Sequence, residues 1–231
     1  MTGWGEYSLA MALFIGSHFV PRIGGLRDRL ITALGQRIYF SVYGMMSLAL
    51  LVWVVIAAGR APYMELWPQM PWTRCVPNIV MPAAIILATC GVGIAQPFTL
   101  GGRRRVTFDA VAPGFAAVSR HPLFLALALW SGAHLVPNGD LAHVILFGSF
   151  AAMALAAIPA FDAKARRALG PQAAHRFMHT TAILSLAPLF DPNWRRLNGR
   201  SITLRAIAGL VLWLALLHLH EYVIGVSPFP V

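Results

Sequence analysis

Histidines are the residues of this chain that could do chemistry inside apolar segments. His18 lies in an apolar run that begins near Trp4, and His134 lies in another run that begins after His121. A neutral imidazole in an apolar helix needs a carbonyl, a polar side chain or a metal as its partner. Because the two histidines lie on different predicted helices, they could share haem iron, which is commonly held by histidines of facing helices. The alternative for each is a hydrogen-bonded core histidine.

A second candidate site is the sequence Arg120-His121-Pro122, which opens the fourth apolar run. Proline suits the first turn of a helix because its missing N–H is not needed there. The N-terminus of a helix favours anions. We therefore expect Arg120 and His121 to line a polar pocket with Asp162 or Lys164, where an anion or a cofactor could bind. The alternative is a cytoplasmic anchor of the helix.

Other polar groups have a simpler interpretation. A mixed set of imidazoles and carboxylates near the predicted outer side could form a metal site, although such sets are more often solvated: Asp140, His143, His218, His220 and Glu221. His175 and His179 have helical i, i+4 spacing without the glutamate of zinc proteases, and they fit the polar face of a surface helix. With 8 Asp and Glu in all, carboxylates are too scarce for a paired-carboxylate mechanism.

The charges of the chain are segregated in a way that water-soluble domains do not show. The chain is 58% apolar and 11% charged, whereas soluble proteins are about 25% charged. All of its 18 Lys and Arg except Arg60 and Arg74 fall in four clusters, within residues 22–37, 103–120, 164–176 and 195–205. Because these clusters flank apolar runs, we expect anionic lipid headgroups rather than nucleic acid as their partner.

The apolar runs predict an all-α, polytopic membrane helix bundle in one domain, residues 1–231. We expect six transmembrane helices, each close to the roughly 20 residues that a bilayer requires: Trp4–Val20, Ile38–Ala58, a segment within Val76–Phe98, the run that starts after His121 and ends near Pro137, Leu141–Phe161 and Ile202–Ile224. Basic loops stay inside, which puts both termini outside and retains the first helix. The segment Ala163–His179 is predicted to be an amphipathic helix on the inner surface.

This topology constrains how histidines could share one iron. His18 lies toward the inner end of its span, whereas His134 lies toward the outer side of its own. Each histidine Cα lies about 6 Å from an iron it ligates, so the two backbones can differ in depth by about 12 Å at most. A helix tilt near 20° is ordinary and would bring them within reach. If the depths cannot be reconciled, His220 is the next partner for His134.

Several short motifs together resemble a known family over nearly the whole chain. They are His18 with Gly25-Leu26-Arg27, Ser119-Arg120-His121-Pro122, Trp130-Ser131-Gly132-Ala133-His134, Asn138-Gly139-Asp140, Leu146-Phe147-Gly148, Asp162 with Lys164, and His220 with Gly225-Val226-Ser227-Pro228. On these residues the chain resembles the NnrU-like family of bacterial membrane proteins. The resemblance implies a multi-pass protein of the cytoplasmic (inner) membrane, linked to denitrification through the expression of nitrite and nitric oxide reductases.

The same resemblance implies a cofactor. The family is similar to the 15-cis-zeta-carotene isomerase of plants, an integral membrane protein that uses haem b. The positions that match His18 and His134 are haem ligands there, which implies haem b here and an isomerase-like redox reaction on a lipid-soluble substrate. In that isomerase a cysteine three residues before the second ligand is associated with ligand switching. This chain has Ser131 at that position, which argues against a thiolate-switched cycle.

Two alternatives stay open. Arg120-His121-Pro122 followed by Asp162, Gly170 and Pro188 also resembles isoprenylcysteine carboxyl methyltransferases, in which the matching histidine helps bind S-adenosylmethionine. The glutamate usual in those enzymes is replaced by Asp162 here. The pattern Gly-x-x-Tyr is not matched, because Gly170 is followed by Pro-Gln-Ala. We interpret this likeness as shared architecture rather than shared chemistry. The other alternative is a membrane assembly or regulatory protein without a cofactor.

The topology is testable by cysteine labelling. In a chain with Cys75→Ser and Cys90→Ser, we expect a cysteine at position 231 to react with a membrane-impermeant maleimide from the outer side. A matched Arg104→Cys probe in a basic loop should react only after the membrane is opened. Labelling of position 231 from the cytoplasmic side alone would contradict the predicted topology.

Overall fold

The computed structural model describes residues 3–230, with Arg22 described by its backbone only, so both predicted outer ends, Met1 and Val231, lie outside the described residues. It is 75% helical and has no strands in this part of the chain, which confirms the all-α prediction. The helices are α1 (Gly3–Phe19), α2 (Leu26–Leu34), α3 (Gln36–Arg60), α4 (Cys75–Gly91), α5 (Pro122–Leu135), α6 (Leu141–Leu169), α7 (Pro171–Thr180) and α8 (Pro192–Ile224).

Each predicted span overlaps with an apolar helix, but the bounds and lengths of the helices differ from the predicted ones. Over the described residues, four are long and apolar enough to cross a bilayer: α3, α4 with the turn before it, α6 and α8. The number is five if α1 and Ile23–Leu34, which meet at 75°, count as one bent span. With 17 and 14 residues, α1 and α5 are shorter than the roughly 20 residues of a simple crossing.

The prediction of one amphipathic helix over Ala163–His179 is wrong. Helix α6 continues to Leu169, and Gly170 then has φ 73° and ψ 171°, a conformation that glycine adopts most readily. Pro171 starts α7 as a separate helix. Only α7 keeps the amphipathic pattern, because Ala174 and Phe177 are buried while other positions are exposed: His175, Arg176 and His179.

Helix α8 also begins earlier than the predicted span at Ile202. The Asp191 carboxylate caps its first turn, since Oδ1 accepts the backbone N–H groups of Asn193 at 2.8 Å and Trp194 at 3.3 Å. Pro192 occupies the first helical position. The arginines that the sequence placed in a loop therefore lie on the first turns of a helix: Arg195, Arg196 and Arg200.

The chain forms two compact units, and the single domain stays a prediction. The first comprises residues 1–68 and 138–146, and the second comprises residues 69–137 and 147–231. In the first unit α1 packs against α3, and the Tyr7 hydroxyl donates to the Ala142 carbonyl at 2.7 Å. This bond fixes α1 against the start of α6.

In the second unit α4 packs against both α5 and α8. Gly209 of α8 lies so close to α4 that a Cβ would be 2.7 Å from Thr89 Oγ1 and 3.2 Å from Ile86 Cα. Arg205 of α8 caps the end of α4, because its Nη1 donates to the carbonyls of Thr89, Cys90 and Val92 at 3.3, 3.3 and 2.6 Å. Helix α4 is therefore held along its side and at its C-terminus.

The contact of α4 with α5 yields a stability prediction. A Cβ on Gly91 would lie 2.5 Å from Pro122 Cγ and 2.7 Å from Pro122 Cβ, atoms of a rigid ring. We expect Gly91→Ala to destabilise the protein by about 1–3 kcal/mol, because overpacking outweighs the gain in helix propensity. Gly148→Ala in α6 is the control, since nothing lies within 4 Å of its added Cβ. Equal thermal unfolding midpoints for the two variants in detergent would contradict this packing.

Candidate functional site

The backbone before α5 is held by the segment that follows α7. The Arg120 N–H donates to the Ala182 carbonyl at 2.7 Å, and the Ser185 N–H donates to the Val118 carbonyl at 2.8 Å. His121 then has φ −131° and ψ 53°, and Pro122 begins the helix. This arrangement directs the Arg120 and His121 side chains into the second unit.

Arg120 and Asp162 form a buried, bidentate ion pair. Arg120 Nε donates to Asp162 Oδ1 at 2.8 Å, and Nη2 donates to Oδ2 at 2.7 Å. Each residue is only 9% exposed. The remaining Nη1 lies 3.4 Å from the Thr181 carbonyl oxygen. Because burial removes both charges from water, the pair is tolerated only with these hydrogen bonds in place.

His121 completes the cluster and has no exposed surface. Its Nε2 lies 2.9 Å from Asp162 Oδ1, and its Nδ1 lies 3.1 Å from Thr99 Oγ1. Since a carboxylate only accepts, Nε2 carries the proton and Nδ1 accepts from the Thr99 hydroxyl. Because the imidazole is fully buried, an added charge on it would be costly, which favours this neutral form. The Arg120–His121–Asp162 cluster is therefore electrically neutral.

Arg120 and His121 do meet Asp162, but in a closed, buried cluster rather than a polar pocket. Their role in binding a cofactor stays a prediction. Lys164, the other expected partner, is exposed, and its ammonium lies 6.0 Å from the centre of the Phe161 ring. A guanidinium already paired with a carboxylate offers an added anion little net charge. The arrangement as it stands is suited to positioning α5.

Sequence reasoning missed three residues of this cluster: Gln96, Thr99 and Thr181. Gln96 is fully buried, its Nε2 donates to the Arg120 carbonyl at 2.8 Å, and its Oε1 accepts the Phe98 N–H. The available signal was the presence of polar residues in or near predicted apolar segments. Ser119 Oγ is buried without a hydrogen-bond partner in the described structure.

His18, in the first unit, lies near the C-terminal end of α1. Its Nδ1 lies 2.8 Å from the Phe14 carbonyl oxygen and 3.3 Å from Ser17 Oγ. A carbonyl oxygen only accepts, so Nδ1 carries the proton and Nε2 keeps the lone pair in the neutral ring. The centre of the His18 imidazole lies 4.7 Å from the centre of the Phe14 ring and 6.1 Å from the centre of the Tyr43 ring.

His134, in the second unit, has the same local arrangement in the last turn of α5. Its Nδ1 lies 2.8 Å from the Trp130 carbonyl oxygen. As in His18, Nδ1 therefore carries the proton, and Nε2 keeps the lone pair in the neutral ring. The imidazole centre lies 5.7 Å from the Trp130 ring and 5.5 Å from the Phe147 ring. The Trp130 and Phe147 ring centres lie 5.6 Å from each other, so the three rings form one aromatic cluster.

The remaining candidate residues lie in α8 and at the start of α6. His220 Nδ1 lies 2.8 Å from the Val226 carbonyl oxygen, and His218 Nδ1 lies 2.8 Å from that of Leu214. Asp140 Oδ2 lies 2.8 Å from His143 Nδ1, and Asp140 Oδ1 also accepts the His143 backbone N–H. Among residues 3–230, no three His, Cys, Asp or Glu residues form a group that could hold a metal ion.

Comparison with known proteins decides the family. The family model described as NnrU protein matches residues 7–228. The chain belongs to the NnrU family. Among curated proteins and solved structures, no significant match is found. The matched range contains the Arg120–His121–Asp162 cluster as well as His18 and His134.

The cluster predicts a large effect of one isosteric change. We expect Asp162→Asn to destabilise the protein by roughly 3–5 kcal/mol, because Arg120 would be left as an uncompensated buried charge. Asp109→Asn is the matched control, since its exposed carboxylate accepts only the Val111 N–H at 2.8 Å. Thermal unfolding in detergent measures both.

A double variant separates a paired charge from two independent effects. Arg120→Met with Asp162→Leu removes both charges, so it should be more stable than Asp162→Asn alone. Strict additivity of the Arg120→Met and Asp162→Leu effects would contradict the buried pair.

Proposed function

We propose that this NnrU-family chain is an integral membrane protein that binds one b-type haem, which His18 and His134 would hold. We place it in the bacterial cytoplasmic membrane with both termini outside, as the basic loops suggest. Its proposed role is in denitrification, through expression of nitrite and nitric oxide reductases, or in an isomerase-like redox reaction on a lipid-soluble substrate. Both roles would use the same haem.

The observation that carries this proposal is the hydrogen bond at Nδ1 of each histidine. His18 and His134 direct Nδ1 to a carbonyl four residues earlier, at 2.8 Å in both cases. Histidines that ligate a metal almost always donate their other ring N–H to a carboxylate, a carbonyl or water, which fixes the tautomer and the ring orientation. The donor chemistry of both residues therefore fits haem iron.

The surroundings of His134 also fit a flat, apolar cofactor. Trp130 and Phe147 lie within 6 Å of its imidazole centre, at 5.7 and 5.5 Å. Trp130 also stacks on Phe150, with the ring centres 5.9 Å apart, and this contact helps to fix the orientation of the indole. When bound, haem iron would supply one-electron redox chemistry at a potential tuned by its axial ligands.

Ser131 supports a pair of imidazole ligands that does not switch. It is fully buried, and its hydroxyl donates to the Leu127 carbonyl at 2.6 Å. A serine hydroxyl held by its own helix does not supply a thiolate. Ser131 would therefore not replace a histidine in holding the haem.

The burial of Arg120 and His121 weighs against the methyltransferase alternative. S-adenosylmethionine would have to reach side chains that are 9% and 0% exposed and already bound to Asp162. We therefore propose that Arg120 and His121 support the cofactor site indirectly, by positioning α5 and hence His134. A cofactor-free assembly or regulatory protein is the other candidate, and it would show no Soret band.

Single substitutions test the ligands. Wild-type protein purified in detergent should show a Soret band, and His18→Ala and His134→Ala should each shift it or abolish it. His218→Ala is the matched control, because His218 has the same Nδ1-to-carbonyl bond in an exposed part of α8. His220→Ala tests the other partner considered for His134. An unchanged Soret band and full haem content in both His18→Ala and His134→Ala would contradict the proposed ligands.

A further inference from the structure

The turn between α6 and α7 contains a groove that the proposed haem function does not use. We call residues 164–178 the α6–α7 elbow. Its groove has a volume of about 500 Å³ and is lined by Arg166, Arg167, Pro171, Ala174, His175 and Met178. Two guanidinium groups and an imidazole thus share one concave surface with apolar side chains.

The elbow is strongly basic and lacks compensating acids. No Asp or Glu occurs between Asp162 and Asp191. Arg166, Arg167 and Arg176 are exposed, and the ion pairs of the described residues do not include them. Exposed cations near an apolar span attract anionic lipid, each contributing about a factor of five in affinity. The elbow therefore has charge available for an external anion.

The position of the groove suits a membrane surface. Arg166 and Arg167 follow directly on the apolar part of α6, a helix long enough to cross a bilayer. Helix α7 is anchored by Phe177, whose ring contacts Phe98 at 5.7 Å and Phe108 at 4.8 Å between ring centres. Because Phe177 holds α7 in place, the exposed side chains of His175 and Arg176 on the same helix stay at the elbow.

We propose that the α6–α7 elbow binds the headgroup of an anionic phospholipid. Arg166 and Arg167 contact the phosphate, since the planar guanidinium matches phosphate oxygens with two parallel hydrogen bonds. His175 lies at the rim, and Ala174 and Met178 contact the apolar part of the lipid near the glycerol. This site shares no residue with the haem proposal, so either can fail without the other.

Lipid binding to the full-length protein tests the site. Native mass spectrometry in detergent, with phosphatidylglycerol as the probe, should show retained lipid on the wild type and little retention of phosphatidylcholine. Arg166→Gln with Arg167→Gln should weaken phosphatidylglycerol binding by about 25-fold, the product of two fivefold contributions. Arg166→Lys with Arg167→Lys keeps the charge and should retain most of the affinity.

The matched control is Arg195→Gln with Arg196→Gln, which removes two adjacent exposed arginines from α8 instead. It should change phosphatidylglycerol binding less than twofold. Equal loss in the two glutamine pairs would overturn the site, because attraction would then follow total charge alone. Complete displacement of phosphatidylglycerol by millimolar inorganic phosphate would also overturn it, in favour of a free anion as ligand. If the elbow glutamine pair does not fold, the test passes to the wild type, in which 0.5 M NaCl should abolish binding and undiminished binding would refute the proposal.

Discussion

The second unit depends on one buried ion pair, between Arg120 and Asp162. The guanidinium and the carboxylate meet through two hydrogen bonds of 2.8 and 2.7 Å, and the imidazole of His121 contributes a third at 2.9 Å. If one partner moves away, the other is left as an unpaired charge in a medium of low dielectric constant, which is costly. The two side chains are therefore held in a single geometry. The pair joins the start of α5, the C-terminal part of α6 and the segment after α7.

This constraint determines where the far end of α5 can lie. Pro122 begins the helix immediately after the cluster, and a helix is stiff and rises about 1.5 Å per residue. With its start fixed by Asp162 and its side packed on α4, α5 presents His134 in one orientation. The motif Arg120-His121-Pro122, a candidate cofactor site in the sequence, thus positions α5. The histidine that we propose as a haem ligand is a different one, His134.

Much of the fold followed from the pattern of charge and apolar residues. The six apolar helices could be predicted from the uncharged apolar runs, although only four or five spans among residues 3–230 are long enough to cross a bilayer. The meeting of Arg120 and His121 with Asp162 could be predicted because buried charges need partners. The break at Gly170 could not, since periodicity alone does not reveal where a left-handed residue ends a helix. Gln96, Thr99 and Thr181 were missed because their importance depends on which residues fold back onto the start of α5. Arg205 resembled the other basic residues in the sequence, yet it caps the carbonyls at the end of α4.

The proposed haem site is tested most directly by looking for the haem itself and for its histidine ligands. Protein expressed with added haem precursor and purified in detergent can be analysed by the pyridine haemochrome assay together with electron paramagnetic resonance of the oxidised form. We expect about one non-covalent haem b per chain and a low-spin ferric signal from two imidazole ligands. Protein that folds but retains no haem, or a haem signal without histidine ligation, would contradict it.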